Sequence, residues 1–133
     1  MSCYNIKVFQ GKKIAILVSD RKTYLEIRGS AKQKKLLNAA RTKGDKQAKM
    51  RLEQFNYSGH YPQGTIKGTK IHSHAFVFDC DDRTEFERII PILQNRADEL
   101  GVLMIERSVS NGGHIVCKRP PNKTILESQV WLA

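Results

Sequence analysis

Ala75-Phe76-Val77-Phe78-Asp79-Cys80-Asp81-Asp82 is an apolar strand that runs straight into acids, and Gly112-Gly113-His114-Ile115-Val116-Cys117-Lys118 is a glycine turn leading into a second strand. Alternate residues of a strand project to one face. Phe76, Phe78 and Cys80 therefore share a face, assigned to the core, and Ala75, Val77, Asp79 and Asp81 share the other. On extended backbone the Cα atoms of Asp79 and Asp81 stand roughly 6 to 7 Å apart. Two carboxylates so close repel unless a cation joins them, and oxygen-ligated Mg²⁺ or Mn²⁺ suits such a pair.

Working outward, Phe86, Ile89, Ile90, Leu93, Ala97 and Leu100 fall on one helical stripe. Pro91 interrupts it, which predicts a kink or a fresh helix start there. Gly101 ends the helix, Val102 to Arg107 reads as a strand, and Ser108 to Gly113 turns the chain into the strand His114 to Lys118. The plainest role for the glycines of that turn is positive φ. Pro120-Pro121 stops the strand, and Thr124 can cap a last helix from Ile125.

This element order predicts an α+β fold: a ferredoxin-like or RNA-recognition-type antiparallel sheet with helices on one face, lacking its last strand. A right-handed crossover makes strand 102–107 parallel to strand 72–81, and strand 114–118 then fits between them, antiparallel to both. That pairing sets His114 beside Asp79 and Asp81 on the open face, with Lys118 further along.

The first half has another character. Residues 5–9 and 13–18 read as a hairpin around Gln10-Gly11-Lys12. From Ala31 to Gln54 a Lys-, Ala- and Leu-rich stretch reads as two helices, parted where Gly44 ends one and Asp45 caps the next. Residues 1–70 carry 16 Lys+Arg against 4 Asp+Glu, and residues 71–133 carry 7 against 9, so the net +10 belongs to the first half. Such a field attracts polyanions, nucleic acid first among them. Lys34, Lys35, Lys49 and Arg51 are the candidate contacts, with Arg28 counted among the surrounding basic residues; a merely solvated basic face is the alternative.

The 133 residues suit one domain, divided into a basic segment over 1–70 and a sheet with the acid pair over 71–133. Cys3, Cys80 and Cys117 have neither CxxC nor Cys/His ligand spacing, which argues against zinc ribbons and disulfide scaffolds. No apolar run approaches the roughly 20 residues of a membrane span, and no leader pattern opens the chain. A cytoplasmic protein is expected.

An apolar strand ending in Asp79-x-Asp81, followed by a small-x-His strand at Gly112-Gly113-His114, resembles the archaeo-eukaryotic primase superfamily. Residues 23–118 are most similar to the primase-like N-terminal domain of virulence-protein-E-type and helicase proteins of bacterial mobile elements. The Lys-rich helices, Tyr57-Ser58-Gly59-His60 and the Ser110-Asn111-Gly112-Gly113 turn carry that likeness. It implies a nucleotidyltransferase in which Asp79 and Asp81 hold Mg²⁺ or Mn²⁺ and His114 contacts the incoming nucleotide. Ser110, Asn111, Gly112, Gly113 and Lys118 would complete the nucleotide site, and the partners would be DNA, nucleoside triphosphates and a helicase region. The superfamily's third acidic motif should follow His114, where this sequence has only Glu127. The chain is therefore expected to be a C-terminally truncated piece, or a degenerate relative.

Other readings compete. Asp82 is expected to cap the following helix whatever Asp79 and Asp81 do. His72-Ser73-His74 could be the histidine pair of a rolling-circle nuclease or relaxase, but such an enzyme needs a nucleophilic tyrosine downstream and none follows Tyr61. A non-catalytic nucleic-acid-binding module of the same fold is the further alternative, although no aromatic pair falls on the open strand faces for stacking.

Overall fold

The structure, a computed structural model, describes residues 3–62, 64, 71–72, 74–109 and 111–133, with the side chains of 71 and 72 left aside. It is α+β and divides into two compact units, Met1–Ile71 and His72–Ala133. The division falls where the composition changes from basic to balanced.

In the first unit β1 (Cys3–Phe9) and β2 (Lys12–Val18) form the expected hairpin. Its two-residue turn has positive φ at both Gln10 (50°) and Gly11 (75°), the geometry whose twist matches the flanking strands. Next comes α1 (Arg21–Arg28), capped by the Asp20 carboxylate on the Thr23 N–H. The basic stretch is α2 (Ala31–Lys43) and α3 (Lys46–Arg51), separated as the sequence predicted: Gly44 is left-handed, and the Asp45 carboxylate accepts from the Gln47 and Ala48 N–H groups. β3 (Gln54–Asn56) completes a sheet of order β2-β1-β3. The short β4 (Gly59–His60) pairs with β5 (Ile71–His72), where the chain passes into the second unit.

The second unit holds the 75–82 stretch as β6 (Ala75–Cys80), shorter than the 72–81 expected. It is followed by α4 (Arg83–Asn95), α5 (Ala97–Leu100), β7 (Val102–Arg107), β8 (Gly113–Lys118) and α6 (Ile125–Leu132). The sheet order is β6-β8-β7, with β8 antiparallel to both neighbours. Phe76, Cys80, Phe86, Leu93, Ile115 and Cys117 make the core, and Ile89, Ile90, Leu100, Ile125 and Leu132 pack against it. The even face of β6 is thus the inner one.

Two local expectations are corrected. Helix α4 does not start afresh at Pro91, which lies inside it. Pro91 and Glu87 are both exposed, on the side of the helix where water can reach the backbone and reduce the cost of the hydrogen bond that a proline removes. In the 108–113 turn it is Asn111, not a glycine, that adopts positive φ (67°). The glycines serve space instead. A Cβ on Gly113 would lie 2.0 Å from the Phe86 ring, and one on Gly112 would lie 2.2 Å from the Cys80 carbonyl oxygen.

Candidate functional site

The site is built by strand register. Asp79 of β6 stands directly opposite His114 of β8, and His114 stands opposite Glu106 of β7, so the three form one row across the sheet. His114 Nε2 lies 3.5 Å from Asp79 Oδ1, and Nδ1 lies 3.8 Å from Glu106 Oε1. Each ring nitrogen faces a different carboxylate. Exposure grades along the row: the Asp79 side chain is 65% exposed, His114 35% and Glu106 19%. One step inward, Val77, Val116 and Met104 form the next cross-strand row, and Val116 is fully buried.

Packing on the inner face fixes the row. Phe86, 1% exposed, fills the space that the absent Gly113 side chain leaves. β8 can therefore sit low over α4 and deliver His114 to the end of β6. The turn is closed by the Ser108 N–H donating to the Gly112 carbonyl (2.9 Å) and by Arg107 Nη1 donating to the Asn111 carbonyl (3.0 Å).

The structure brings His114 to Asp79. Asp81 is exposed and lies just past the last residue of β6, its backbone against Gly112. Asp82 is the α4 cap, its carboxylate accepting from the Glu85 N–H at 2.9 Å. Lys118 is exposed at the far end of β8, four residues or about 13 Å of strand from His114. Asn111 is half-buried in the turn, and Ser110 and Ser73 lie outside the described residues. His74 is exposed.

Glu106 is the residue that sequence reasoning missed. The signal was available once strand 114–118 had been placed between its neighbours, because the register that sets Asp79 beside His114 also sets a residue of strand 102–107 on its other side. Glu127, the acid considered as a third ligand, is engaged elsewhere. It forms a reciprocal capping box with Thr124, whose backbone N–H and then hydroxyl hold the Glu127 carboxyl below its ordinary value. Among the described residues no group of three His, Cys, Asp or Glu is arranged to hold a metal ion.

In the first unit Lys34, Lys35, Lys49 and Arg51 are all exposed. Of that unit's four acids, Asp20 and Asp45 are helix caps and Glu53 lies 3.6 Å from Lys7. Neither α2 nor α3 contains an acid, so their charge has no counter-ion within either helix. Arg28 is different. It is half-buried, donates to the Tyr24 hydroxyl (3.1 Å) and the Glu53 carbonyl (3.1 Å), and lies over the Phe55 ring. Its guanidinium serves the fold.

All three cysteines are buried free thiols. Burial pushes the Cys117 thiol up to about 11. Among the described residues no helix is long and apolar enough to cross a membrane.

No family model, curated protein or solved structure matches the chain.

Proposed function

We propose that the chain is a primase-polymerase-like nucleotidyltransferase domain of a mobile-element DNA replication protein, acting in the cytoplasm on nucleoside triphosphates and DNA beside a helicase region. The observation that carries this reading is the register of Asp79 opposite His114 at the end of β6. The sheet of the second unit is then an RNA-recognition-type or ferredoxin-like sheet without its last strand, β8 filling the gap of a split β-α-β unit.

In this reading Asp79 and Asp81 hold the metal. Oxygen donors suit Mg²⁺ or Mn²⁺, and Mg²⁺ commonly takes one or two carboxylates together with phosphate oxygens and water, so two protein ligands suffice. A bound divalent ion would neutralise phosphate charge during phosphoryl transfer. His114 contacts the nucleotide, the 110–113 turn borders it, and Lys118 meets it further along the strand. Lys34, Lys35, Lys49 and Arg51 hold the DNA backbone.

Isothermal titration of Mn²⁺ with a nucleoside triphosphate separates wild type from Asp79→Ala/Asp81→Ala. Heat of binding is expected only with wild type, and equal binding by both would remove the site. The second reading, a non-catalytic nucleic-acid-binding module, is favoured by the acid-free, lysine-rich helices α2 and α3. It requires salt-sensitive DNA affinity to survive loss of both acids, with no nucleotide binding in either protein.

A further inference from the structure

Resting on the nucleic-acid part of that reading, we infer that the tip of the β1–β2 hairpin is a second contact surface for nucleic acid, with Phe9 as a base-stacking ring and Lys12 and Lys13 as phosphate contacts. The last cross-strand pairs before the turn are Val8 with Lys13 and Phe9 with Lys12. Both apolar members stand in water, Val8 at 70% exposure and Phe9 at 62%. In the same sheet Tyr4 is buried against Ala15 and Tyr61. The fold therefore has an apolar place for one aromatic of β1 and leaves the other outside it.

The hairpin's own charges have one sign. Residues 3–18 contain Lys7, Lys12 and Lys13 and no acid, and the Lys7 ammonium lies 3.6 Å from Glu53. Lys12 and Lys13 are exposed beside the turn. The turn is a two-residue one with both φ values positive, and its strands continue into the sheet, so the ring is presented with little ordering cost on binding.

This arrangement fits a nucleic acid better than a bilayer. Val8 and Phe9 are successive strand residues and point to opposite faces, each opposed by a lysine. A bilayer rewards one continuous apolar face. A base needs one ring with cations beside it, and stacking of this kind tolerates any sequence.

The test is fluorescence anisotropy of a labelled oligothymidine with the full chain and three variants, Phe9→Ala, Phe9→Tyr and Lys12→Gln/Lys13→Gln, all checked by circular dichroism. Phe9→Ala should weaken binding by about fivefold to a hundredfold, the range that base–aromatic stacking supplies. Phe9→Tyr should restore it, and the lysine pair should make affinity less dependent on salt. Wild-type binding that neither Phe9→Ala nor the lysine pair weakens overturns the inference while leaving the site proposal standing. Failure of wild type to bind the oligonucleotide or a duplex overturns the nucleic-acid reading and the inference with it. Phosphatidylserine vesicles released by Phe9→Ala, with oligonucleotide affinity unchanged, assign the tip to membranes and also overturn it.

Discussion

Gly113→Ala probes the seating of the strand that carries His114. The added Cβ would lie 2.0 Å from Phe86 Cε1 and 2.1 Å from Cζ, whereas carbon atoms settle at about 3.5–4.0 Å. Relief requires roughly 1.5 Å of movement, and Phe86 is 1% exposed in a cluster with Phe76, Leu93 and Ile115. The ring is enclosed by those core side chains. Overpacking of this kind costs about 1–3 kcal/mol, and this site belongs at the upper end. Restricting the unfolded chain gives back about 0.4–1 kcal/mol. The net expectation is about 2 kcal/mol of destabilisation, or roughly 2 M in urea midpoint for a slope near 1 kcal/mol/M. Urea unfolding followed by circular dichroism measures it. Because the clash is between two named groups, Gly113→Ala/Phe86→Leu should be more stable than the sum of its single changes by about 1 kcal/mol. A Gly113→Ala protein within about 0.5 kcal/mol of wild type, or strict additivity in the pair, would refute the packing argument.

Three further outcomes are expected. Cys3, Cys80 and Cys117 are buried, so a thiol reagent at neutral pH should find no fast-reacting cysteine in the native protein and three after unfolding. Since the Cys117 thiol rises from an ordinary 9.0 to about 11, the native state keeps a proton that the unfolded chain releases. Its contribution to stability should be level below pH 9 and fall between 9 and 11; stability that rises there contradicts the burial. Replacing Lys34, Lys35, Lys49 and Arg51 together by glutamine should flatten the slope of log affinity against log salt for duplex DNA by as much as about 3–4, since each phosphate that is no longer neutralised takes about 0.9 from the slope. An unchanged slope would take the DNA surface away from α2 and α3.

Features that depend on short-range chemistry were legible in the sequence. Gln10-Gly11 announced the hairpin, Gly44-Asp45 the break between α2 and α3, and Thr124 the start of α6, because each signal and its effect lie within a few residues. The pairing of β6 with β8 was legible for another reason, since the crossover rule leaves few places for a third strand. The readings that failed needed distances. Helix α1 was missed although Asp20 and Gly29 frame it, because at eight residues it offers too few turns for a clear apolar period. Arg28 was counted as surface charge, and only the fold shows it against Tyr24, Tyr57 and Phe55. The purpose of Gly112 and Gly113 is steric, set by Phe86 and by the Cys80–Asp81 backbone, and no local pattern encodes that. Glu106 enters the row only through a second strand pairing.

In the proposed site a divalent ion and a nucleotide meet at the end of β6 beside His114. Paramagnetic broadening of backbone amide signals by Mn²⁺, with and without a nucleoside triphosphate, tests it most directly. The expected broadening is confined to residues 79–81, 106 and 112–114 and strengthens when nucleotide is added. Broadening centred elsewhere, or amide signals of Asp79 and His114 left intact at saturating Mn²⁺ and nucleotide, would contradict it.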